Sequence, residues 1–445
     1  MSSDKEHSAQ VTSEQPKREI HLIDLVFLSF GGQSPYLSVL SYGVYAYILA
    51  GGFAPIAIAI GTLLILLNGL VIYKLSSRFT LPGGYTTYAY FSLTKRLGFQ
   101  TGWIYTLYSV LYGAAYVVAT TIVMKEVFNV DPLQFVTLVL VISSILLLLG
   151  VRPTTKYAII ASGMEAAMMA FIAVALLAKT GWRFYDPTQF HIPPEVFAEA
   201  VIFGAGISTG YGSIAPVTGE VVNPKRNVPL AIIIVILLGG GLAAFDTYAI
   251  SDYIYFKNLE LSSDYSVISL VGHEYGYFTL AFTLFAALND GILATMSFML
   301  SSSRTIYSLS FYNFLPGLFK EWRPRTGPIY SLIATLVSFA IVVYSSVILF
   351  GVHEGFAFLG YVSMLGGFVT HIISDLALFK MSLKRYRKRV KEIALALTAT
   401  ITTVVILAYS VSSVPPIFIN VFLLWVLLGF IYVEVLEMAR HNEEE

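Results

Sequence analysis

Twelve apolar stretches, each close to or above the ~20 residues that a bilayer core requires, recur along this chain between short runs of charge. They fall at about 22–48, 53–73, 99–124, 133–149, 155–178, 196–217, 228–255, 277–306, 329–350, 356–379, 393–410 and 416–436. In hydrocarbon every backbone N–H and C=O must find a partner within the protein, so segments of this length are helices. The composition agrees: 56% of residues are hydrophobic and 12% charged, against roughly 25% charged in soluble domains. The chain is therefore read as all-α and polytopic, with 12 transmembrane helices and the lipid bilayer as its surroundings.

Charge position gives an independent check on that count. With both termini placed inside, 23 of the 27 lysines and arginines fall on cytoplasmic segments and four (Lys125, Lys179, Arg183 and Lys257) outside, as the positive-inside bias requires. Miscounting one central helix would destroy the split. The opposite loops collect acids, among them Glu126, Asp131, Asp186, Asp252, Glu260, Asp264 and Glu274, read as a solvated face. The run KRYRKRVK at 384–391 reads as a positive-inside anchor that also suits anionic lipid. Residues 1–20 are polar and without an apolar core, so they read as a disordered cytoplasmic tail, and 441–445 as an acidic tail. The expected location is the cell membrane.

Two of the apolar segments are built to be interrupted. FGGQSP at 30–35 places a glycine pair ahead of a proline, and FGAGISTGYGSIAPVTGEVVNPKRNVP at 203–229 carries Gly204, Gly206, Gly210 and Gly212 before a basic exit. Glycines also let neighbouring helices approach closely. A matched pair of broken segments in corresponding halves, however, points to a transporter site between inverted repeats.

The run GEVVNPKRNVPLAI at 219–232 resembles the signature after the sixth helix of the amino acid, polyamine and organocation (APC) transporter superfamily. KLSSRFTLPGGYTTYAYFSLTKRLGFQTGW at 74–103 is similar to that family's loop after the second helix and its entry to the third. The resemblance implies a LeuT-like 5+5 inverted repeat, with 21–179 as the first repeat, 195–380 as the second, and 392–437 as two appended helices of a single domain, 21–440. It implies secondary active transport of an amino acid by alternating access, a polyamine or organocation carrier or exchanger being the alternative, and a sensor that binds without transport a third reading. Gly212 stands where some carriers of cationic substrates place a carboxylate, which favours a neutral amino acid.

On this reading the substrate meets Gly31, Gly32, Gln33 and Ser34 at the first break and Thr209, Gly210, Tyr211 and Gly212 at the second, with Phe203 as a gate. Freed amides there suit a carboxylate and freed carbonyls an ammonium. The family has a Gly-Ser-Gly type turn at the first break, and this chain departs from it. The third segment has a polar stripe at helical spacing, Tyr105, Ser109, Tyr112 or Gly113, Tyr116 and Thr120. By resemblance Ser109, Gly113 and Tyr116 are the substrate-facing members; helix packing is the plain alternative.

Glu165 lies in SGMEAAMMAFIAVALLA with no charge nearby in sequence. An ionisable group at that depth is costly and a functional candidate. The resemblance aligns it with a fifth-helix position that often holds a lysine, where sodium-coupled relatives bind a cation. Glu165 is accordingly expected to carry a coupling proton, with Asp246 as the second candidate; a structural hydrogen bond is the competing role. Asp290 is expected near the outer leaflet, open to water, and Asp375, ahead of Lys380 at the cytoplasmic end of the tenth segment, to snorkel or to pair. Ser297, Ser301 and Ser302 are candidate sodium ligands, although serines in membrane helices commonly bond their own backbone.

The seven histidines are scattered without metal-ligand spacing, there is no cysteine, and neither a nucleophile elbow nor a phosphate-binding loop occurs. No cofactor, no metal site beyond the sodium candidates, no enzyme activity and no nucleic-acid partner are expected, the formal net charge being zero. The expected partners are a small amino acid and a proton or sodium ion.

Overall fold

The computed structural model describes residues 16–259 and 267–444; the tail residues 1–15, and Glu260 and Asp264 of the acidic loops, lie outside them. Hydrocarbon leaves the backbone no partner but itself, and the described chain is almost wholly helical. Helix α1 (Leu22–Gln33) stops at Ser34, which is left-handed at φ +44°. Pro35, whose missing N–H costs nothing in a first turn, opens α2 (Pro35–Ser38), and a wider π turn at Val39–Gly43 leads into α3 (Val44–Ala50). Gly51 (φ +54°) turns the chain into α4 (Ala54–Ser76). The short α5 (Tyr85–Ser92) precedes α6 (Lys95–Phe128), whose first turn is capped by Thr94 Oγ1 accepting from Leu97 N–H at 3.1 Å. Then come α7 (Pro132–Leu148) and α8 (Val151–Lys179).

The second half opens with α9 (Pro194–Ser208), which loosens into two stretches of 3-10 turn, Thr209–Ile214 and Pro216–Glu220. It continues through α10 (Pro224–Lys257) and α11 (Val267–Phe311), a two-residue antiparallel hairpin of β1 (Trp322–Arg323) and β2 (Gly327–Pro328), and α12 (Ile329–Leu383). Helices α13 (Tyr386–Ser413) and α14 (Pro416–Glu444) close the chain.

Among the described residues nine helical runs are long and apolar enough to cross a bilayer. Two of them, Leu22–Ser76 and Ile329–Leu383, hold 55 residues each, far beyond one crossing at 1.5 Å per residue. Each is reversed at a left-handed glycine, Gly51 or Gly351 (φ +75°). Each of these two runs thus holds two helices, and the 17-residue α7 is a further, shorter apolar helix.

The halves interlock as a five-plus-five repeat requires: α4 packs on α10, α6 on α11, and the first break on the Thr209–Ile214 turn. Helix α6 and the run Pro194–Glu220 are the innermost, each with 89% of its most apolar stretch buried, against 17% in α13 and 22% in α14, which therefore present their apolar surface to lipid. The two ends share one face. Ile20 pairs with Val221, Arg440 donates to the carbonyl of Asn313, and Gly83 N–H reaches the Pro216 carbonyl at 3.2 Å. This near face carries the basic loops; the far face carries the turns at Gly51 and Gly351 and the loop 180–193.

Candidate functional site

The two interruptions touch backbone to backbone. A β-carbon added at Gly32 would meet Ser213 Oγ at 2.8 Å, and one at Gly210 would sit on the backbone of Gly32 and Gln33. Only glycine permits this approach. Gln33, fully buried, reaches across and donates from Nε2 to the Ser208 carbonyl at 2.9 Å, while its Oε1 has no partner. Ser34, the left-handed residue, donates from Oγ toward the Gly31 and Asp290 carbonyls at 2.9 and 2.8 Å. Its main chain makes the sharp turn and its hydroxyl ties the turn to α11.

Loosening α9 into 3-10 turns leaves carbonyls without regular helical partners, and a column of tyrosines on α6 supplies donors. Tyr105 OH bonds the Gly212 carbonyl at 2.9 Å, Tyr108 OH the Thr209 carbonyl at 3.4 Å, and Tyr112 OH the Gly206 carbonyl at 3.1 Å. Tyr116 ends the column at the first break, donating to the Gln33 carbonyl at 3.1 Å and pairing with Ser38 Oγ at 2.7 Å. Spacings of three, four and four residues put all four rings on one helix face. Tyr211 itself is fully buried, its hydroxyl 3.3 Å from His371 Nε2.

Acids, by contrast, gather at the first break. The two amides that α1's interruption frees are taken by side chains: Tyr36 N–H by Glu165 Oε1 at 2.9 Å and Leu37 N–H by Asp290 Oδ2 at 2.8 Å. Glu165 and Asp290 come from α8 and α11 and are buried to within 1% of full. Asp246 on α10, also buried, faces the same stretch with Oδ1 unpartnered. Glu165 is thus not isolated in space, and Asp290 is not open to water. The expectation for Asp290 is corrected, because a contact between residues 125 positions apart leaves no trace in local pattern. Asp375 is likewise corrected. It is buried and turned to Thr400 of α13 at 3.5 Å, whereas Lys380 donates to the Leu93 carbonyl. Residues five apart on a helix do not share a face.

The remaining candidates scatter. Ser109 Oγ bonds the Thr106 carbonyl of its own helix, and Gly113 meets Phe339 and Phe298, so neither points at the breaks. Thr209 Oγ1 is returned to the Ala205 carbonyl. Ser297 Oγ donates to the Leu28 carbonyl at 2.9 Å and Ser301 pairs with Tyr105 at 2.6 Å, so the two hydroxyls serve different neighbours. Sequence reasoning passed over Tyr108, His371 and the Arg304–Glu220 pair described next; the tyrosine column was the one legible signal, had its step been counted from Tyr105 through Tyr108.

A cavity of about 420 Å³ opens on the far side of the breaks. Tyr42, Tyr45, Phe203, Phe356, Tyr361, Phe368 and Phe418 wall it, His353 and Glu354 stand exposed at its mouth, and Gly206 lies at its floor. Phe203 packs its ring on Tyr45 at 4.5 Å between centroids. The near side is shut. There Arg304 of α11 makes a bidentate pair with Glu220 at 2.7 and 3.1 Å, 2% and 7% exposed, under the ring of Trp322. The Glu220 carbonyl also accepts the amides of Glu19 and Ile20, so the chain's own leading segment covers the pair.

A model of the amino acid permease family matches residues 24–440. The vacuolar cationic amino acid transporter 4 of Arabidopsis thaliana is 24% identical over 352 residues, 72% of this chain and 57% of that protein. The low-affinity putrescine importer PlaP of Escherichia coli K12 is 23% identical over 304 residues, 62% of this chain and 64% of the importer. The vacuolar cationic amino acid transporter 2 of Arabidopsis is 28% identical over 214 residues, 46% of this chain and 33% of that transporter. The matches thus span less than two thirds of each relative's length.

Proposed function

The chain belongs to the amino acid permease family, and from that premise we propose that it is a secondary active transporter that carries an amino acid or related organic amine by alternating access. The carrying observation is the pair of interrupted helices packed glycine to glycine below a far-side cavity while the near side is closed by Arg304 and Glu220. All twelve helices cross the membrane, the near face is cytoplasmic, and the structure is the state open to the outside. Substrate enters past Phe203 and displaces the close contact between Gly31–Ser34 and Thr209–Gly212, where the tyrosine-bound carbonyls of the second break offer acceptors to an ammonium group. Such exchange of neutral hydroxyl donors for substrate donors needs no buried charge to be uncovered.

Coupling is to protons, through Glu165. Asp246 is the second candidate. Sodium is the less favoured ion, because Ser297 and Ser301 serve different neighbours. As to substrate, the seven aromatic walls and Glu354 at the mouth suit an organic cation, since rings and a carboxylate both attract an ammonium or guanidinium. That favours the organocation alternative over the neutral amino acid expected from Gly212. Counterflow into proteoliposomes with labelled arginine, putrescine and leucine tests the reading: exchange of at least one establishes a carrier, whereas saturable binding of any of them without exchange would make the protein a sensor.

A further inference from the structure

Glu165 and Asp290 do more than occupy neighbouring amides. Their carboxyl groups sit on the consecutive amides of Tyr36 and Leu37, so the two acids are immediate neighbours and each acts electrostatically on the other. Each has one oxygen spent on the broken helix, and each keeps a second, Glu165 Oε2 and Asp290 Oδ1, without a donor among the described residues. Ionised carboxylates only accept, so two of them in contact repel and leave both bare oxygens unsatisfied. One proton between them removes the repulsion and supplies the missing bond, and the pair then titrates as a unit.

Around the pair the described residues bring a further acid and neutral hydroxyls. From α10 the pair faces Asp246, a third acid with a bare Oδ1. From the broken helix it faces Tyr36 and the Ser34 hydroxyl, from α6 Tyr112, and from α8 Tyr157, whose hydroxyl is held by Asn289 Oδ1. Among the described residues, no lysine or arginine is one of the groups acting on either acid. A doubly charged pair at this depth would be far costlier than a singly charged one.

We propose that Glu165 and Asp290 hold a single proton between them and that this shared proton, not one belonging to Glu165 alone, is the ion exchanged in transport. The inference rests on the proton-coupled reading above and deepens it. The proton enters from water on the open side, converting the pair from two negative charges to one, and ties α8 and α11 together at the outer half of the first span. It leaves to water on the other side when that side opens, restoring two charges that water then solvates. Neither bond formation nor redox change is involved beyond the transfer of that proton.

The test sets Glu165→Gln, Asp290→Asn and the double variant beside wild type in proteoliposomes, using whichever of labelled arginine, putrescine or leucine the wild type exchanges. Each single variant should lose accumulation driven by a pH gradient as completely as the other, the double should be no worse, and counterflow should persist in all three. The exchanged pair Glu165→Asp with Asp290→Glu keeps two carboxyls and should restore gradient-driven accumulation, which guards against a variant that merely fails to assemble. Infrared spectroscopy gives a readout independent of transport: the carbonyl stretch of one protonated carboxyl should vanish alike in Glu165→Gln and Asp290→Asn. Wild-type accumulation by Asp290→Asn, or a band lost in Glu165→Gln but kept in Asp290→Asn, would overturn the shared proton. Absence of counterflow in the wild type would instead remove the carrier reading, and the infrared result would still decide where the proton sits.

Discussion

At the first break the backbone donors that the interruption frees are met by carboxyls from two other helices, whereas at the second the freed carbonyls are met by tyrosine hydroxyls from one helix. The difference follows from direction. A helix that restarts presents N–H groups, which want acceptors, and a helix that loosens presents C=O groups, which want donors. Carboxyls bring charge with them and hydroxyls do not. On the proposed reading, the first break is the place where a proton changes the energy of the protein, and the second is where a neutral partner is traded for a substrate's polar hydrogens at little electrostatic cost. One interruption is suited to the ion and the other to the cargo.

The largest disturbance is expected where the two breaks meet. A valine at Gly210 would drive its side chain into the backbone of Gly32 and Gln33, and backbone cannot repack as a flexible side chain does. We predict that Gly210→Val abolishes counterflow in protein that still elutes as a single species in detergent. Retained exchange would mean that the close approach of the breaks is dispensable.

Next in size is the tie at the near end of the second break. Removing one partner of a buried pair strands the other's charge, at about 3–5 kcal/mol, while removing both with apolar replacements is far milder. Glu220→Gln and Arg304→Met should each lower thermal stability in detergent substantially, and Glu220→Leu with Arg304→Met should recover most of the loss. A double variant as unstable as the sum of its singles would show that the pair holds the near face by specific geometry and not by charge balance.

The smallest effects should come from the tyrosine column. Tyr112→Phe deletes the donor to the Gly206 carbonyl and Tyr105→Phe the donor to the Gly212 carbonyl, each a bond worth about 0.5–1.5 kcal/mol. If these hydroxyls are traded for substrate, the variants shift apparent affinity in counterflow by a few-fold and leave the pH dependence of uptake unchanged. A shift in pH dependence instead would erase the distinction between the two breaks.

The spans, the basic loops and both breaks were legible in the sequence because hydrocarbon imposes its requirements locally, on length, charge and backbone. Glu165 was legible for the same reason, as an acid with nothing near it in the chain. Its meaning was not, since Asp290 stands on another helix and the depth of α11 cannot be read from its 45 residues, which include a bend at Gly276. Gly113 and Ser109 fit a helical stripe equally well as Tyr108, and only packing against Phe339 decided that the face lay one step round. Arg304 and Glu220 stand 84 residues apart in the chain, and their partnership depends on the fold bringing α11 beneath the second break.

The central claim, that the acid-lined first break carries the driving ion, is tested most directly by uptake into sodium-free proteoliposomes under an imposed pH gradient, acidic outside, with wild type beside Glu165→Gln. Glutamine keeps the bond to Tyr36 but fixes a neutral side chain. The account predicts that wild type concentrates substrate and that the variant only equilibrates it, while both exchange labelled for unlabelled substrate. Accumulation by Glu165→Gln to the wild-type level would contradict the account and move the coupling site to Asp246 or beyond.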